Sequence, residues 1–407
     1  MDAGGALPAA APSRGRPLRV LHIGKFYPPH PGGMESVLAD LCRALAPRVD
    51  VEVVVANEGW ATRREVIDGV PVTRLGRWGE ILSTSLVPGL VRFLRADRWD
   101  IVHVHHPNPM AAVAVLAARP SARLVLTYHA DIVRQRVTGA LYGPILERVL
   151  RRSDRVHVAS QELLDSSPVL APFRDRAVVI PFGIREDRVL QLSPVARRRA
   201  EEIARWGAGR LALFVGRVVY YKGLEYLLRA MSKVDGRLLV IGDGDLLKSS
   251  ERLAARIGLA ERVQFLGEVD DETVAAALHA CDLFVLPSIA RSEAFGLVLL
   301  EAMASAKPIV TTALPTGVSF VNRDGETGFV VPPADPEALA GAMRALLEDP
   351  ALRERLGRAA RARFEREFTV GLEAERMLAL YEEIARSAVT GRSDPRPEAA
   401  PTRRALG

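Results

Sequence analysis

Residues 211–223 read LALFVGRVVYYKG, and this stretch establishes the architecture of the second half of the chain. The apolar run LALFV, closed by Gly216, is typical of a β-strand. The segment that follows Lys222, GLEYLLRAMSKV, carries apolar residues at helical spacing. A strand that leads directly into such a helix is the first part of a βαβ unit, which predicts a parallel sheet.

The same alternation of strands and helices continues through both halves of the chain. In the second half, further strands are predicted at 237–245, 262–269, 282–288 and 307–313. In the first half, the corresponding apolar runs lie at 18–26, 49–57, 100–106, 122–130, 155–160 and 177–183. We therefore predict an α/β fold of two doubly wound, Rossmann-like domains, whose ligands bind in the cleft at the carboxyl ends of the strands.

The length of 407 residues is more than one domain usually contains, so two domains are expected. We predict a disordered tail at 1–16, a first domain at 17–184, a second domain at 185–368, a helix at 369–388 that crosses back to the first domain, and a disordered tail at 389–407. Both tails are rich in Pro and Ala, which favours disorder.

The overall composition is that of a soluble globular protein, with 48% hydrophobic and 26% charged residues. No long apolar run indicates a membrane span, and the first residues lack the apolar core of a secretory signal, so we expect a cytoplasmic protein. The two cysteines, Cys42 and Cys281, lie in apolar helical surroundings, and no disulfide is expected. The net charge of +6 is compatible with nucleic acid, an anionic membrane or an anionic substrate, and alone does not choose among them.

Two cations flank the start of the helix that follows the strand at 211–215. Arg217 leaves the end of the strand, and Lys222 stands just before the helix. The amino end of a helix and two cations together favour an anion, and a diphosphate fits that charge. The alternative is that Arg217 is a solvated loop residue and Lys222 an exposed residue at the helix start.

A second stretch, SEAFGLVLLEAMA at 292–304, follows the strand at 282–288. Glu293 lies in the loop, and the backbone amides of Phe295, Gly296 and Leu297 open the next helix, where they lack helical acceptors. Glu301 lies on the order of 7 Å further along the helix, where a ribose attached to a bound diphosphate would reach it. The alternative for Glu301 is a glutamate favoured only by the helix dipole.

The order of these segments resembles a known family. GRVVYYKG, IGDGDL, FLGEV, PSIARSEAFGLVLLEAMA and DGETGFVVPP are similar to the nucleotide-sugar domain of the retaining glycosyltransferases of family 4, which have the GT-B fold. The resemblance covers nearly the whole chain, and Glu293 and Glu301 match the E-x7-E motif of that family. It implies that Arg217 and Lys222 bind the diphosphate and drive catalysis. It also implies that Glu293 and the amides at 295–297 hold the sugar, that Glu301 holds the ribose, and that the loop near Val269 contacts the base.

The first domain carries two further matches to the family. FYPPHPGGMESV resembles its glycine loop, in which Gly32 and Gly33 let the backbone approach the diphosphate and the acceptor. TYHADI matches the segment that supplies a histidine facing the donor sugar, which here is His129, with Asp131 as a residue that could orient it. Without the resemblance, the glycines would only form a turn and His129 would be a structural histidine.

Neither group of potential metal ligands is expected to bind a metal. His103 and His105 share one strand face while His106 lies on the other, which is awkward for zinc. Asp243 and Asp245 in IGDGDL are expected to make a tight turn. The resemblance implies catalysis without metal or other cofactor, with retention of configuration through front-face attack, in which the leaving phosphate oxygen accepts the proton of the acceptor.

The sequence indicates the substrates only by class. The donor is expected to be a UDP- or GDP-linked sugar, and the stretch YHADIVRQR resembles relatives that transfer mannose or N-acetylglucosamine. The acceptor is a glycan, a lipid-linked molecule or a small molecule. Segments at 91–98 and 141–155 mix apolar and basic residues, so they form either core helices with solvated edges or contacts to the inner face of the plasma membrane.

Other classes of protein fit the sequence less well. A non-catalytic nucleotide-sugar binder would lack a key cation or glutamate, and none is missing. A nucleotide-sugar epimerase or a phosphorylase shares the two-domain fold but fits the ordered motifs less well. A dehydrogenase would carry G-x-G-x-x-G after the first strand, where the chain has KFYPPHPGG. Nucleic acid is not an expected partner, because the basic residues are spread without an aromatic platform. We expect donor binding to close the cleft.

Overall fold

The computed structural model describes residues 16–81, 84–131 and 136–389. Both predicted tails therefore lie outside the described residues, apart from Arg16 and Val389 at their inner ends. The first domain contributes the strands β1 (Arg19–Ile23), β2 (Asp50–Ala56), β3 (Arg63–Ile67), β4 (Val70–Leu75), β5 (Gly79–Ile81), β6 (Thr84–Leu86), β7 (Ile101–His106), β8 (Arg123–Tyr128), β9 (Arg155–Val158) and β10 (Ala177–Val179). Its helices are α1 (Gly33–Leu45), α2 (Gly89–Leu94), α3 (Pro109–Ala118), α4 (Arg136–Arg152) and α5 (Gln161–Ser166).

The second domain follows the same plan. Its strands are β11 (Leu211–Val215), β12 (Arg237–Ile241), β13 (Val263–Gly267), β14 (Leu283–Leu286), β15 (Ile309–Thr312) and β16 (Gly328–Val331). The helices after residue 185 are α6 (Asp187–Leu190), α7 (Pro194–Gly207), α8 (Leu224–Met231), α9 (Leu247–Arg256), α10 (Asp271–Ala280), α11 (Leu297–Ala304), α12 (Gly317–Val321), α13 (Pro336–Glu348), α14 (Pro350–Glu367) and α15 (Val370–Val389). Short 3-10 turns lie at Ala171–Arg176 and Tyr220–Lys222.

Each domain is built on one predominantly parallel sheet. The first sheet has the order β10-β9-β8-β7-β1-β2-β4-β3, in which only β3 is antiparallel to its neighbour, and the second has the order β13-β12-β11-β14-β15-β16. In both sheets the strand order reverses beside the first strand, which is the doubly wound arrangement. The predicted α/β fold is confirmed.

The hairpin of β3 and β4 was not predicted from the sequence. It turns at Asp68 and Gly69, which both have positive φ angles of 50° and 80°. Asp-Gly is the preferred pair for such a two-residue turn, so the signal was present in the segment REVIDGVPVTRL. Strand β16 was also missed, because its four residues lie inside a segment that was interpreted only as a motif.

The last helix completes the core of the first domain. The buried side chains of Met377, Tyr381 and Ile384 in α15 belong to the same apolar cluster as Val20 and Val53 of the first sheet. The chain passes between the domains twice, and the two passages lie side by side, where Ile184 and the Phe368–Val370 segment exchange backbone hydrogen bonds of 3.1 Å. The two cysteines are free and buried, as expected.

Candidate functional site

The cleft brings the glycine loop of the first domain against helix α11 of the second. A side chain at Gly33 would place its Cβ 3.2 Å from Cδ1 of Leu297, so the two domains touch at this point. Gly32 precedes α1 as its N-cap residue. Leu297 is the first residue of α11, and both elements begin after the carboxyl ends of parallel strands. The predicted residues Gly32 and Gly33 therefore face the predicted residue Leu297 across the cleft.

Lys222 and Glu293 form a buried ion pair beside this contact. The Lys222 Nζ lies 2.6 Å from Oε2 of Glu293, and the two residues are only 9% and 7% exposed. The same carboxylate oxygen accepts a hydrogen bond of 3.0 Å from Ser288 Oγ, a residue that the sequence analysis did not single out. Since Lys222 has no negative partner other than Glu293 among the described residues, an entering diphosphate would compete for it.

Two glycines make room for the lysine. Gly223 has a φ of 68°, and a Cβ there would lie 2.0 Å from the carbonyl oxygen of Pro287. The backbone turn that delivers Lys222 therefore accepts only glycine at this position. At Gly216 a Cβ would lie 3.3 Å from the Lys222 Nζ, so the ammonium group packs against the backbone of this glycine.

Arg217 lies at the mouth of the cleft. Its side chain is exposed, and Nη2 donates a hydrogen bond of 3.2 Å to the hydroxyl of Tyr221. Its charge reaches the buried carboxyl of Glu35 on α1: burial raises the pKa of Glu35, and the positive charges of His30, Lys25 and Arg217 oppose that rise. Glu35 was not identified from the sequence.

The amino end of α11 is shaped by a left-handed residue. Gly296 is the N-cap residue with a φ of 76°. The amides of Leu297 and Val298 have no acceptor among the described residues, whereas Leu299 N donates to Gly296 O at 2.8 Å. The ring of Phe295 is buried and meets the ring of Phe182 edge to face, with centroids 5.2 Å apart. Phe295 can therefore offer only its backbone to a ligand.

Glu301 lines a cavity of about 170 Å³ between the two domains, together with Gly33, Leu297, Arg185 and Arg188. Burial raises the pKa of Glu301 to about 7, and the charge of Asp271 adds to the rise. The two arginines carry the only positive charges in the lining. Val269 does not line this cavity, although it packs on the same apolar cluster as Leu297.

His129 follows β8 and is buried at the floor of the cleft. Its ring stacks on Phe182 with centroids 5.0 Å apart, and its Nε2 lies 3.1 Å from Nδ1 of His105. Burial lowers the pKa of His129 to about 3, so the ring is neutral.

The suggestion that Asp131 orients His129 is wrong. Asp131 Oδ2 pairs at 2.8 Å with Arg291 of the second domain, and Oδ1 accepts hydrogen bonds from Tyr128 and Ser167. Asp131 therefore joins the two domains across the cleft. Arg188 and Asp40 make a second link of this kind, with Nη2 and Oδ1 2.9 Å apart.

A larger cavity of about 340 Å³ opens in the first domain next to Asp131. Most of its wall is apolar, formed by residues such as Met34, Val54, Leu90 and Met110. The sequence did not reveal it, because its wall is assembled from strands and helices that are distant in the chain.

The segments that mix apolar and basic residues are core helices with solvated edges. Leu90 and Leu94 of α2 and Val149 and Leu150 of α4 are buried in the core of the first domain. Among the described residues, we find no helix with the length and hydrophobicity needed to cross a bilayer.

The histidines at 103, 105 and 106 divide as expected, with His106 on the opposite side, near the hydroxyl of Tyr142. However, His103 and His105 meet a third histidine, His22 of β1, and one nitrogen from each ring lies within 4.8 Å of the others. In the part of the chain that is described, this is the one cluster with metal-ligand geometry. The exposed Asp243 accepts a hydrogen bond of 2.6 Å from Gly244 N, which fits the predicted turn.

Comparisons with known proteins agree with this geometry. The family model described as "Glycosyl transferases group 1" matches residues 198–363, and that of "Glycosyltransferase Family 4" matches residues 31–188. The chain is 35% identical to an O-antigen chain mannosyltransferase of Escherichia coli, over 91% of this chain and 100% of that protein. It is 36% identical to a D-rhamnosyltransferase of Pseudomonas aeruginosa, over 86% and 92%. It is also 31% identical to a phosphatidyl-myo-inositol mannosyltransferase of Mycobacterium leprae, over 88% and 94%.

A solved structure shares the fold. The Anabaena protein HepE, crystallised with UDP-glucose, superposes with a TM-score of 0.75 at 21% identity, over 90% of this chain and 100% of that one. Two facing doubly wound domains with paired cations and carboxylates in the cleft define a glycosyltransferase of the GT-B class. The chain belongs to glycosyltransferase family 4. The interpretations as a dehydrogenase, an epimerase, a phosphorylase or a non-catalytic binder are thereby set aside.

Proposed function

We propose that this enzyme transfers mannose, with retention of configuration and without a metal ion, from a UDP- or GDP-linked donor to a lipid-linked acceptor. The observation that carries the donor side is the buried pair of Lys222 and Glu293 beside the amino end of α11. The choice of mannose is supported by the names of two relatives, which are mannosyltransferases. N-acetylglucosamine remains the second candidate sugar.

In the proposed donor complex, Lys222 and Glu293 exchange partners. The ammonium group of Lys222, the guanidinium of Arg217 and the first amides of α11 bind the diphosphate, while Glu293 accepts hydrogen bonds from the sugar hydroxyls. Glu301 lies in the adjoining cavity and accepts the ribose hydroxyls, with Val269 near the base. His129 faces the sugar from the opposite domain.

The chemical step then depends chiefly on electrostatics. The bond between the anomeric carbon and the phosphate oxygen breaks, and the sugar gains oxocarbenium character. The acceptor oxygen attacks the same face, and its proton moves to the leaving phosphate oxygen. Lys222 and Arg217 stabilise the charge that develops on the diphosphate, a contribution worth a factor of roughly 10²–10³ for a single well-placed donor.

The acceptor is proposed from the large cavity of the first domain. Its apolar wall, with Lys25 and Asp131 at its polar end, suits a molecule with an apolar chain and a hydroxyl near the diphosphate. One relative is named for a phosphatidylinositol acceptor. A lipid-linked acceptor also implies peripheral contact with the inner face of the plasma membrane.

A donor screen with the product analysed by NMR tests the proposal. We expect turnover with GDP-mannose or UDP-linked sugar to persist in EDTA and to give a product with the anomeric configuration of the donor. The Lys222→Met variant is expected to lose roughly 10²-fold or more in kcat. The exposed Lys248→Met is the matched control and should behave as the wild type. Inversion, abolition by EDTA or an active Lys222→Met enzyme would each contradict the mechanism.

A further inference from the structure

Five of the buried histidines form one hydrogen-bonded chain that ends at the cleft. From the interior outward its members are Ile180 (through its carbonyl), His157, Thr127, His103, Tyr381, His22, His105 and His129. We call this the histidine chain. It links four neighbouring strands of the first sheet with helix α15.

The inner half of the histidine chain starts at a backbone carbonyl. Nε2 of His157 lies 2.7 Å from the carbonyl oxygen of Ile180, and its Nδ1 lies 2.8 Å from Oγ1 of Thr127. His103 Nε2 lies 2.6 Å from the same hydroxyl, and its Nδ1 lies 2.6 Å from the hydroxyl of Tyr381.

The outer half leads from Tyr381 to the cleft. The tyrosine hydroxyl lies 3.2 Å from Nε2 of His22, whose Nδ1 lies 3.1 Å from Nε2 of His105. His105 Nδ1 then lies 3.1 Å from Nε2 of His129. Every ring in the histidine chain therefore uses one nitrogen toward each neighbour.

All five rings are neutral, because burial lowers their pKa values. The pKa of His22 and of His129 falls to about 3, and that of His157 to about 4. The pKa values of His103 and His105 are lowered well below the usual value, again mainly by burial. Each ring therefore has one N–H donor and one acceptor nitrogen.

The carbonyl at the inner end sets the direction of the whole chain. The oxygen of Ile180 can only accept, so Nε2 of His157 carries the proton and its Nδ1 must accept from Thr127. Thr127 then accepts from Nε2 of His103, whose Nδ1 accepts from Tyr381. By the same alternation, His22 and His105 each donate through Nε2 and accept through Nδ1.

We propose that the histidine chain fixes His129 as the Nε2–H tautomer and presents the lone pair of its Nδ1 to the donor sugar, so that Tyr381, His22 and His105 are positioning residues for the transfer reaction. Among the described residues, His129 Nδ1 has no hydrogen-bond partner. This atom is also not fully buried, unlike the unpartnered polar atoms in the protein interior. This role rests on the proposed function, in which His129 faces the sugar.

The electrostatic advantage of this arrangement is specific. A protonated imidazole beside the anomeric carbon would oppose the positive charge that develops there as the diphosphate leaves. A neutral ring with its acceptor nitrogen toward the sugar adds no such charge and can accept a hydrogen bond from a sugar hydroxyl. An isolated histidine would distribute itself between two tautomers, and only one of them offers this acceptor.

The direct test is the tautomer of His129 in the ligand-free enzyme, measured by nitrogen-15 NMR after selective labelling of histidine. We expect a protonated Nε2 and an unprotonated Nδ1 in the wild type. The Tyr381→Phe variant removes the one hydroxyl that joins the two halves, so we expect its His129 to show both tautomers. A wild-type His129 protonated at Nδ1 would overturn the proposal, whatever the enzyme transfers.

Kinetics supply the second readout. In Tyr381→Phe we expect kcat to fall roughly 3- to 10-fold, the effect of one hydrogen bond. The affinity for the nucleoside diphosphate should be unchanged, because in the proposed complex His129 faces the sugar and not the diphosphate. The matched control is Met377→Leu, one turn earlier in α15 and equally buried. If kcat falls equally in both variants, or if Tyr381→Phe leaves the tautomer and kcat unchanged, the inference is wrong.

Zinc provides the competing outcome. A zinc ion held by His22, His103 and His105 would require their ring nitrogens as ligands and would break the hydrogen bond between His22 and His105. Titration of the labelled wild type with zinc is expected to leave these three resonances in place. If zinc binds stoichiometrically and shifts the nitrogen signals of these three histidines, the cluster is a metal centre and the proposed hydrogen-bonded chain is wrong.

Discussion

Glu301 is an acidic residue whose ordinary charge is suppressed in the empty enzyme. Burial raises its pKa to about 7, whereas a ribose is best bound by a carboxylate that accepts from both hydroxyls. The ligand therefore requires the form that burial disfavours. The affinity for the nucleotide sugar should therefore report the protonation state of Glu301.

We expect the affinity for the intact nucleotide sugar to increase as the pH rises through about 7. The carboxylate form of Glu301 is populated above that value, and it is lost as the pH falls below it. The intact sugar nucleotide is preferred to the free diphosphate as ligand, because the latter has a phosphate that titrates in the same range. Isothermal titration from about pH 6 to about pH 8.5 measures the effect.

Glu301→Gln is the companion variant for this measurement. It should bind roughly 10-fold more weakly at high pH, since a hydrogen bond to a charged group is worth about 1.5–3 kcal/mol. Its affinity should no longer change with pH. A variant with the same pH profile as the wild type would assign the titration to another group.

The residues of the site were predicted from the sequence to different degrees. Lys222 and Glu293 could be singled out because each lies in the connection after a strand, and Glu301 because it ends the local motif that begins at Glu293. The hydrogen-bond partner of His129 could not be predicted. Asp131 is close to it in the chain and His105 lies on the neighbouring strand, and only the directions of the side chains decide between the two.

At the scale of elements, the two chain passages between the domains carry an unusual carboxyl group. Glu373, in the first turn of α15, accepts a hydrogen bond of 2.8 Å from the amide of Gly183. Its other oxygen is buried and has no hydrogen-bond partner among the described residues. Burial raises the pKa of Glu373 to about 8.

We expect the protein to lose stability as the pH rises through about 8 because of Glu373. The folded-state pKa lies above the unfolded value, so the protonated acid stabilises the fold fully below that unfolded value, and this contribution disappears as the pH rises through the folded pKa. Thermal denaturation from about pH 6 to about pH 9 should show the decline.

Glu373→Gln keeps the acceptor for the amide of Gly183 and removes the titration. Its melting temperature should decline less than that of the wild type over the same range, so that the two curves converge or cross at high pH. Parallel curves would show that Glu373 does not titrate in this range.

The elements themselves were mostly visible in the sequence. Eleven predicted strands correspond to observed ones, because buried parallel strands are short apolar runs with clear boundaries. Strand β3 was not predicted because its side chains are mostly exposed and charged, so it has no apolar pattern. Its pairing with β4 comes from the Asp-Gly turn rather than from hydrophobicity.

At the scale of the whole molecule, one edge of the first domain exposes two tryptophans beside two arginines. Trp60 and Trp78 are 87% and 77% exposed and lie on adjacent loops, since Arg77 N bonds Gly59 O at 2.9 Å. The exposed Arg63 and Arg64 stand on the neighbouring strand β3. Tryptophan favours the interface of a bilayer and arginine its anionic headgroups.

This tryptophan edge lies beside the proposed acceptor cavity, whose wall includes Leu75, Thr84 and Ser85. We expect the enzyme to sediment with vesicles that contain anionic phospholipid and to be released by salt. The double variant Trp60→Ser/Trp78→Ser should lose roughly 10-fold in vesicle affinity. Activity on a water-soluble acceptor analogue should stay unchanged.

Val195→Ser is the control, because this valine is 57% exposed on the second domain. It should bind vesicles as the wild type does. If the double variant binds vesicles as tightly as the wild type, the membrane contact lies elsewhere. If the wild type binds neutral vesicles as well as anionic ones, the arginines have no role in binding.

The docking of α15 also has a consequence for biosynthesis. The first domain leaves the ribosome first, but its core lacks Met377, Tyr381 and Ile384 until the last helix has been made. Roughly 200 residues separate the two, which at about 5–20 residues per second is a delay of roughly 10–40 s. During that time the apolar surface that α15 later covers is exposed on the nascent first domain, so we expect this domain to bind chaperones. A premature stop before residue 370 would remove part of the core of the domain that was translated first.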